Sequence, residues 1–196
     1  METTAVKDFE FVRGNLAALP YDPRTGVFTV ETLIMLYKKL HSEDLWDTVF
    51  HENPDMSLFD YLVFFNSGKT LLAIFSIVNG DEIVEIAGMA WLADITTCKG
   101  DWTRALGSFV FFKDYQKPSY TDQFSEIVLD YWFNRLNVDL IIGETPEENI
   151  AAKLFVKRIG FTHVATIPKY TTIHGIVSNS TIVMMTKEEH RQLRGQ

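Results

Sequence analysis

The chain has 196 residues, 46% hydrophobic and 22% charged, which fits a single soluble globular domain large enough to bury a core without staples. A net charge of −8 and a pI of about 5.1 exclude the broad basic face that nucleic-acid binding requires. The single cysteine, Cys98, excludes an internal disulfide. With no signal-like N-terminus and no apolar run longer than Leu71 to Val78, the expected setting is cytoplasmic, with no membrane partner.

The N-terminal third reads as mixed and mostly helical. Phe9 to Val12 is expected as a short strand, and Tyr21 to Gly26 as a turn, with Pro23 and Gly26 as breakers. Thr29 caps a helix from Val30 to Leu40, whose apolar stripe is Val30, Leu33, Ile34, Tyr37 and Leu40. A second short helix carries Leu45, Trp46, Val49 and Phe50. A third opens at Ser57 and stops at Gly68.

Beyond Gly68 the pattern turns to strands. Leu71 to Val78 and Ile83 to Asp94 flank the turn Asn79-Gly80-Asp81-Glu82, where Asn-Gly tolerates positive φ at both central positions, so the two form a hairpin. Thr103 to Phe112 is a further strand, followed by a polar loop from Lys113 to Thr121. The next helix carries Phe124, Ile127, Val128, Tyr131, Trp132 and Leu136 on one face. Leu140 opens another strand. Thr162 to Ile167 and Thr181 to Met185 are the last two, and Thr186 with Glu189 forms a capping box for a short terminal helix.

Between these strands lies Asn149 to Phe161. Asn149 is an N-cap, and Ile150, Ala151, Leu154 and Phe155 recur at helical spacing as one apolar stripe. Lys157 and Arg158 suit the dipole of the last turn, Gly160 permits a left-handed stop, and Phe161 re-enters the core. No histidine pair has metal-ligand spacing, so no metal is expected, and the Gly-x-Ser-x-Gly elbow of hydrolases is absent.

This order of elements resembles the GCN5-related N-acetyltransferase (GNAT) superfamily over roughly residues 58 to 186. Two segments carry the resemblance. Asn149, Ala152, Phe155, Lys157, Gly160 and Phe161 match the family's helix after its fifth strand. Tyr115 and Gln116, with Ser119 and Thr121 at small-residue positions, are similar to its cofactor loop. The resemblance implies an α/β (α+β) fold with a mixed, mostly antiparallel sheet flanked by helices, in one domain over 1–196 whose first 57 residues diverge.

It also implies a function: transfer of acetyl from acetyl-CoA (coenzyme A) to a small-molecule or protein amine, with the pantetheine arm between two splayed strands. By resemblance the cofactor would contact Phe111, Phe112, Gln116, Lys117, Ser119, Tyr120 and Thr121, with Asn149 and Phe155 at the acyl end. Lys113, Lys117, Lys153 and Lys157 would supply positive charge around it.

The sequence departs from the family pattern in several places. Pro118 lacks an N–H, Ser119 and Thr121 carry a Cβ, and Asp122 brings negative charge to the helix start. Ser119 and Asp122 read equally well as a helix cap. Phe155 stands where the family usually has an acidic tyrosine hydroxyl, and Thr103 to Phe112 offers no carboxylate base. Glu144 and Tyr170 are the remaining candidates for proton transfer. An enzyme and a catalytically degenerate structural protein on the same fold therefore both stay open. The irregular loop and N-terminal third are similar to those of acetyltransferase-like proteins of tailed bacteriophages. Partners in the two cases would be an amine acceptor and a second copy of the chain, or virion proteins.

Overall fold

The computed structural model describes residues 11–24, 27–98, 100–173 and 175–195. Eight strands form one sheet in the order β1-β2-β3-β4-β5-β6-β8-β7. These are β1 (Val12–Arg13), β2 (Leu16–Pro20), β3 (Leu71–Asn79), β4 (Glu82–Thr97), β5 (Thr103–Phe111), β6 (Leu140–Pro146), β7 (Thr162–Ile173) and β8 (Ile176–Thr186). The helices are α1 (Val30–Ser42), α2 (Trp46–Val49), α3 (Leu58–Asn66), α4 (Pro118–Asp130), α5 (Ile150–Arg158) and α6 (Lys187–Arg194). Every neighbouring pair is antiparallel except β5 and β6, which are parallel and joined through α4.

The sheet divides two aromatic layers. On one face, Phe75 and Phe111 stack on or tilt against Phe124 of α4, and Phe109 meets Trp132 just beyond that helix. On the other, Trp91 stacks on Phe50 at 5.5 Å and meets Phe65 of α3 edge-on. Alternation along β4 and β5 produces this division, because successive side chains of a strand point to opposite faces. Burying large rings on both faces of the central strands provides most of the apolar driving force, at about 25 cal/mol per Å².

Several expectations are corrected. Leu16–Pro20 is a fully paired strand, Leu16 opposite Ile77 and Pro20 opposite Ala73, although its Leu and Ala favour helix in isolation. The short N-terminal strand begins at Val12; Phe9 and Glu10 lie outside the described residues, as do Thr25 and Gly26 of the expected turn. In the β3–β4 hairpin Asn79 pairs with Glu82, so Gly80 and Asp81 are central and only Gly80 has positive φ, the pattern of a type II′ turn.

The supposed loop from Lys113 holds a 3₁₀ turn over Lys113–Tyr115, and α4 starts at Pro118. Lys117 is its N-cap and Ser119 lies inside its first turn, so Ser119 is not the cap; proline suits the first helical position because that N–H has no helical partner. The helix ends in a π turn, Tyr131–Arg135. The last two strands extend well past their expected ends and form a long hairpin. No helix of the described residues is long and apolar enough to cross a membrane.

Candidate functional site

β5 and β6 pair over only three positions, Arg104 with Leu140, Ala105 with Ile141 and Leu106 with Ile142. Both strands continue beyond that point, to Phe111 and Pro146, but they diverge. A cleft of about 570 Å³ fills the gap. Gly107 sits at the fork: a Cβ there would lie 2.6 Å from Ile141 Cγ2. From Gly107 to Phe111, β5 pairs with β4 alone, so its backbone groups on the β6 side face the cleft.

Side chains from both layers reach this gap. α2 and the turn after it bring Thr48 and His51; α4 brings Thr121; α5 brings Asn149, Phe155 and Arg158. Asn149 caps α5 as its sequence implies, accepting from Ala152 N–H at 3.1 Å. The apolar stripe of α5 is not buried, and only its Phe155 packs against the core. No residue of the helix is buried, and Ile150 and Leu154 are 57% and 60% exposed. Phe155 meets Phe109 and Phe111 edge-on, at 5.6 and 5.5 Å, so α5 walls the cleft and leaves much of its apolar surface open to it.

At the mouth, Pro118 has no N–H, and the Tyr120 and Thr121 N–H groups both donate to Lys117 O. Ser119 N–H has no backbone acceptor among the described residues. Asp122 does not face the opening as an unpaired charge. Arg158 Nε donates to its Oδ1 at 2.7 Å, and Arg158 Nη2 donates to Thr121 Oγ1 at 2.9 Å. Arg158 thus ties the end of α5 to the start of α4.

Of the residues named from sequence, Phe111, Gln116, Thr121, Glu144, Asn149 and Phe155 line the cleft. Phe112, Lys117, Ser119, Tyr120 and Tyr170 do not. Phe112 is buried beneath Lys39, whose Nζ lies 4.4 Å from the ring centroid. Tyr120 packs against Tyr115, and Tyr170 is exposed on β7. Lys113, Lys117, Lys153 and Lys157 are not among the lining residues either; the cation at the cleft is Arg158. The Gln116 amide donates to Phe111 O at 3.0 Å, closing off that strand-end carbonyl.

Glu144 projects from β6, and its Oε1 accepts from Ser180 Oγ at 2.7 Å. His51 Nε2 is 3.5 Å from the same oxygen. With Glu52, these residues place one potential ligand atom each within 4.8 Å of one another. His51 is one of five histidines that show no metal-ligand spacing, and no spacing rule links it to a residue on β6. Farther along, Ser178 donates to Glu148 and holds its carboxyl below the ordinary value, and Asn179 donates to Glu147 at 2.6 Å.

The fold is shared with solved acetyltransferases of low sequence identity. Spermidine N-acetyltransferase from Vibrio cholerae, in complex with CoA and spermine, superposes with a TM-score of 0.72 at 14% identity, over 91% of this chain and 99% of that one. RimL, a ribosomal alpha-N-protein acetyltransferase in complex with coenzyme A, gives 0.69 at 12% identity, over 89% and 96%. No curated protein matches by sequence. Residues 64–181 match the acetyltransferase (GNAT) domain model, which spans the splayed strands and helices α4 and α5 at the cleft. The chain belongs to the GNAT acetyltransferase family, whose members use acetyl-CoA.

Proposed function

We propose that this protein transfers acetyl from acetyl-CoA to a small cationic amine. The observation that carries the reading is the open gap between β5 and β6, walled by the bare apolar face of α5. The chain's own groups fit the cofactor. The unpaired edge of β5 from Gly107 to Phe111 would hold the amide-bearing arm, and Asn149 and Phe155 would flank the acyl end. Arg158, which lines the cleft, and the Ser119 N–H just outside the lining would meet the diphosphate, which suits a helix start. Acetyl-CoA supplies the activated thioester carbonyl. Phe155 has no hydroxyl, so the departing thiolate takes its proton from solvent or from another side chain.

A cationic acceptor is favoured by Glu144, Glu147 and Glu148 at the end of β6 and just beyond it, and by the net charge of −8. The spermine complex of the Vibrio cholerae enzyme supports the same class. The competing reading is a degenerate member used as a structural component, such as a virion protein. Its support is Phe155 in place of tyrosine and a helix start with few N–H groups to offer.

Thermal unfolding with coenzyme A separates the two. Ligand at 100 times its Kd adds about 2.7 kcal/mol, which should raise Tm by roughly 5–10 °C in a domain of this size. Acetylated spermidine should then be detected by mass spectrometry. No shift and no product from any primary amine would leave the structural reading.

A further inference from the structure

We propose that His51 Nε2 takes the proton from the acceptor amine, with Glu144 held beside it to balance the charge that forms. This rests on the acetyltransferase reading and assigns its proton acceptor.

Among the described residues, four buried side-chain polar atoms have no hydrogen bond: His51 Nε2, Ser76 Oγ, Trp132 Nε1 and Thr171 Oγ1. Only His51 also lines the cleft. Its side chain is 10% exposed, so water does not fully compensate Nε2. Leaving such an atom unpaired is costly, and a histidine present only for packing would be expected to use both nitrogens.

The other nitrogen identifies the tautomer. His51 Nδ1 lies 3.2 Å from Thr48 O, and a carbonyl oxygen only accepts, so Nδ1 carries the hydrogen. In the neutral ring Nε2 then carries the lone pair, on a residue that lines the cleft. Glu144 Oε1 is 3.5 Å away and already accepts from Ser180. With the ring hydrogen on Nδ1, both facing atoms are acceptors and no resting hydrogen bond joins them, yet the carboxylate is close enough to stabilise an imidazolium once one forms.

The position is rigid. Phe50, next in the chain, is stacked on Trp46 and on Trp91, and Trp46 Nε1 donates to Pro54 O at 2.8 Å, closing the turn that carries His51. The acidic groups facing the ring are Glu144 from β6 and Glu52 from its own turn. Both draw a cationic amine toward Nε2.

The step balances. An N–H bond of the ammonium breaks and its proton moves to Nε2. The nitrogen lone pair forms the new C–N bond to the acetyl carbonyl carbon, and the C–S bond breaks with its electron pair leaving on sulfur. The second amine proton passes to the thiolate, and His51 returns its own to solvent.

The test uses the full-length protein with spermidine as acceptor. His51→Gln should lower kcat by about 100-fold or more, with the coenzyme A thermal shift and the near-UV spectrum unchanged. His51→Ala should recover activity with added imidazole, which a packing role would not allow. Independently of turnover, ¹⁵N spectra of the histidine side chains, assigned by loss of one signal in H51Q, should show His51 protonated on Nδ1 and bare on Nε2 at neutral pH. Full kcat in H51Q, a doubly protonated resting ring, or activity lost to EDTA and restored by zinc would each overturn the proposal. A wild-type protein that acetylates no amine overturns the acetyltransferase reading itself, and this inference with it.

Discussion

Arg158 and Asp122 form an ion pair at the mouth of the cleft. Their ion pair is 38% and 41% exposed, so its own worth to stability is about 0–1 kcal/mol. For the proposed coenzyme A site the pair matters through what it masks, a carboxylate at the start of α4. Asp122→Asn should tighten coenzyme A binding by roughly 3-fold and Arg158→Ala should weaken it by at least as much, differences that shrink in high salt. Isothermal titration measures both. Gly160 is a different kind of constraint. Its φ is +101°, and a Cβ would lie 2.2 Å from Leu193 Cδ1. Gly160→Ala should therefore cost about 1–2 kcal/mol, read as a lowered Tm with coenzyme A affinity retained. Its backbone role was legible from the Lys157-Arg158-Ile159-Gly160 ending, whereas its contact with α6 was not.

At the scale of elements, α5 shows how a correct local reading can mislead about packing. Its cap, its length and its glycine stop follow from the sequence, but of its apolar stripe only Phe155 packs against the core, while Ala151 and Leu154 line the cleft with it and Ile150 is exposed. Periodicity reports that a face is apolar; it does not say what covers it. The β7–β8 hairpin is joined to the end of β6 through Ser178 and Glu148. The Ser178 hydroxyl is the main cause of the lowered Glu148 pKa, whose ordinary value is 4.5. A carboxyl depressed in the folded state adds stability above its unfolded pKa and loses it as pH falls through the folded one. Ser178→Ala should return the Glu148 titration toward 4.5, visible in carboxyl ¹³C shifts, and remove that part of the acid-side stability slope.

At the scale of the molecule, the family match covers residues 64–181, while the sheet and the core also take in residues before it. The N-terminal third supplies β2, where Ala17 and Leu19 are fully buried against β3, and α1 and α2, whose Tyr37 and Trp46 belong to the aromatic layer under Trp91. A fragment beginning at Ser57 would expose that layer and the edge of β3. It should lose near-UV circular dichroism and a cooperative thermal transition, while the full chain keeps both. The same dependence places His51 on a segment that family-level reading treated as divergent.

What the residues alone determined was local: caps at Ser57, Asn149 and Thr186, the turn at Gly80, the alternation of β3 to β5, and from their order the family and its sheet. Each depends on neighbours in sequence, where backbone geometry and side-chain chemistry act over one or two turns. The pairing of Leu16–Pro20, the distance at which β5 leaves β6, the Arg158 bridge and the meeting of His51 with Glu144 were decided by tertiary structure. They join segments far apart in the chain, and no local preference encodes a contact whose free energy comes from burying two distant surfaces together.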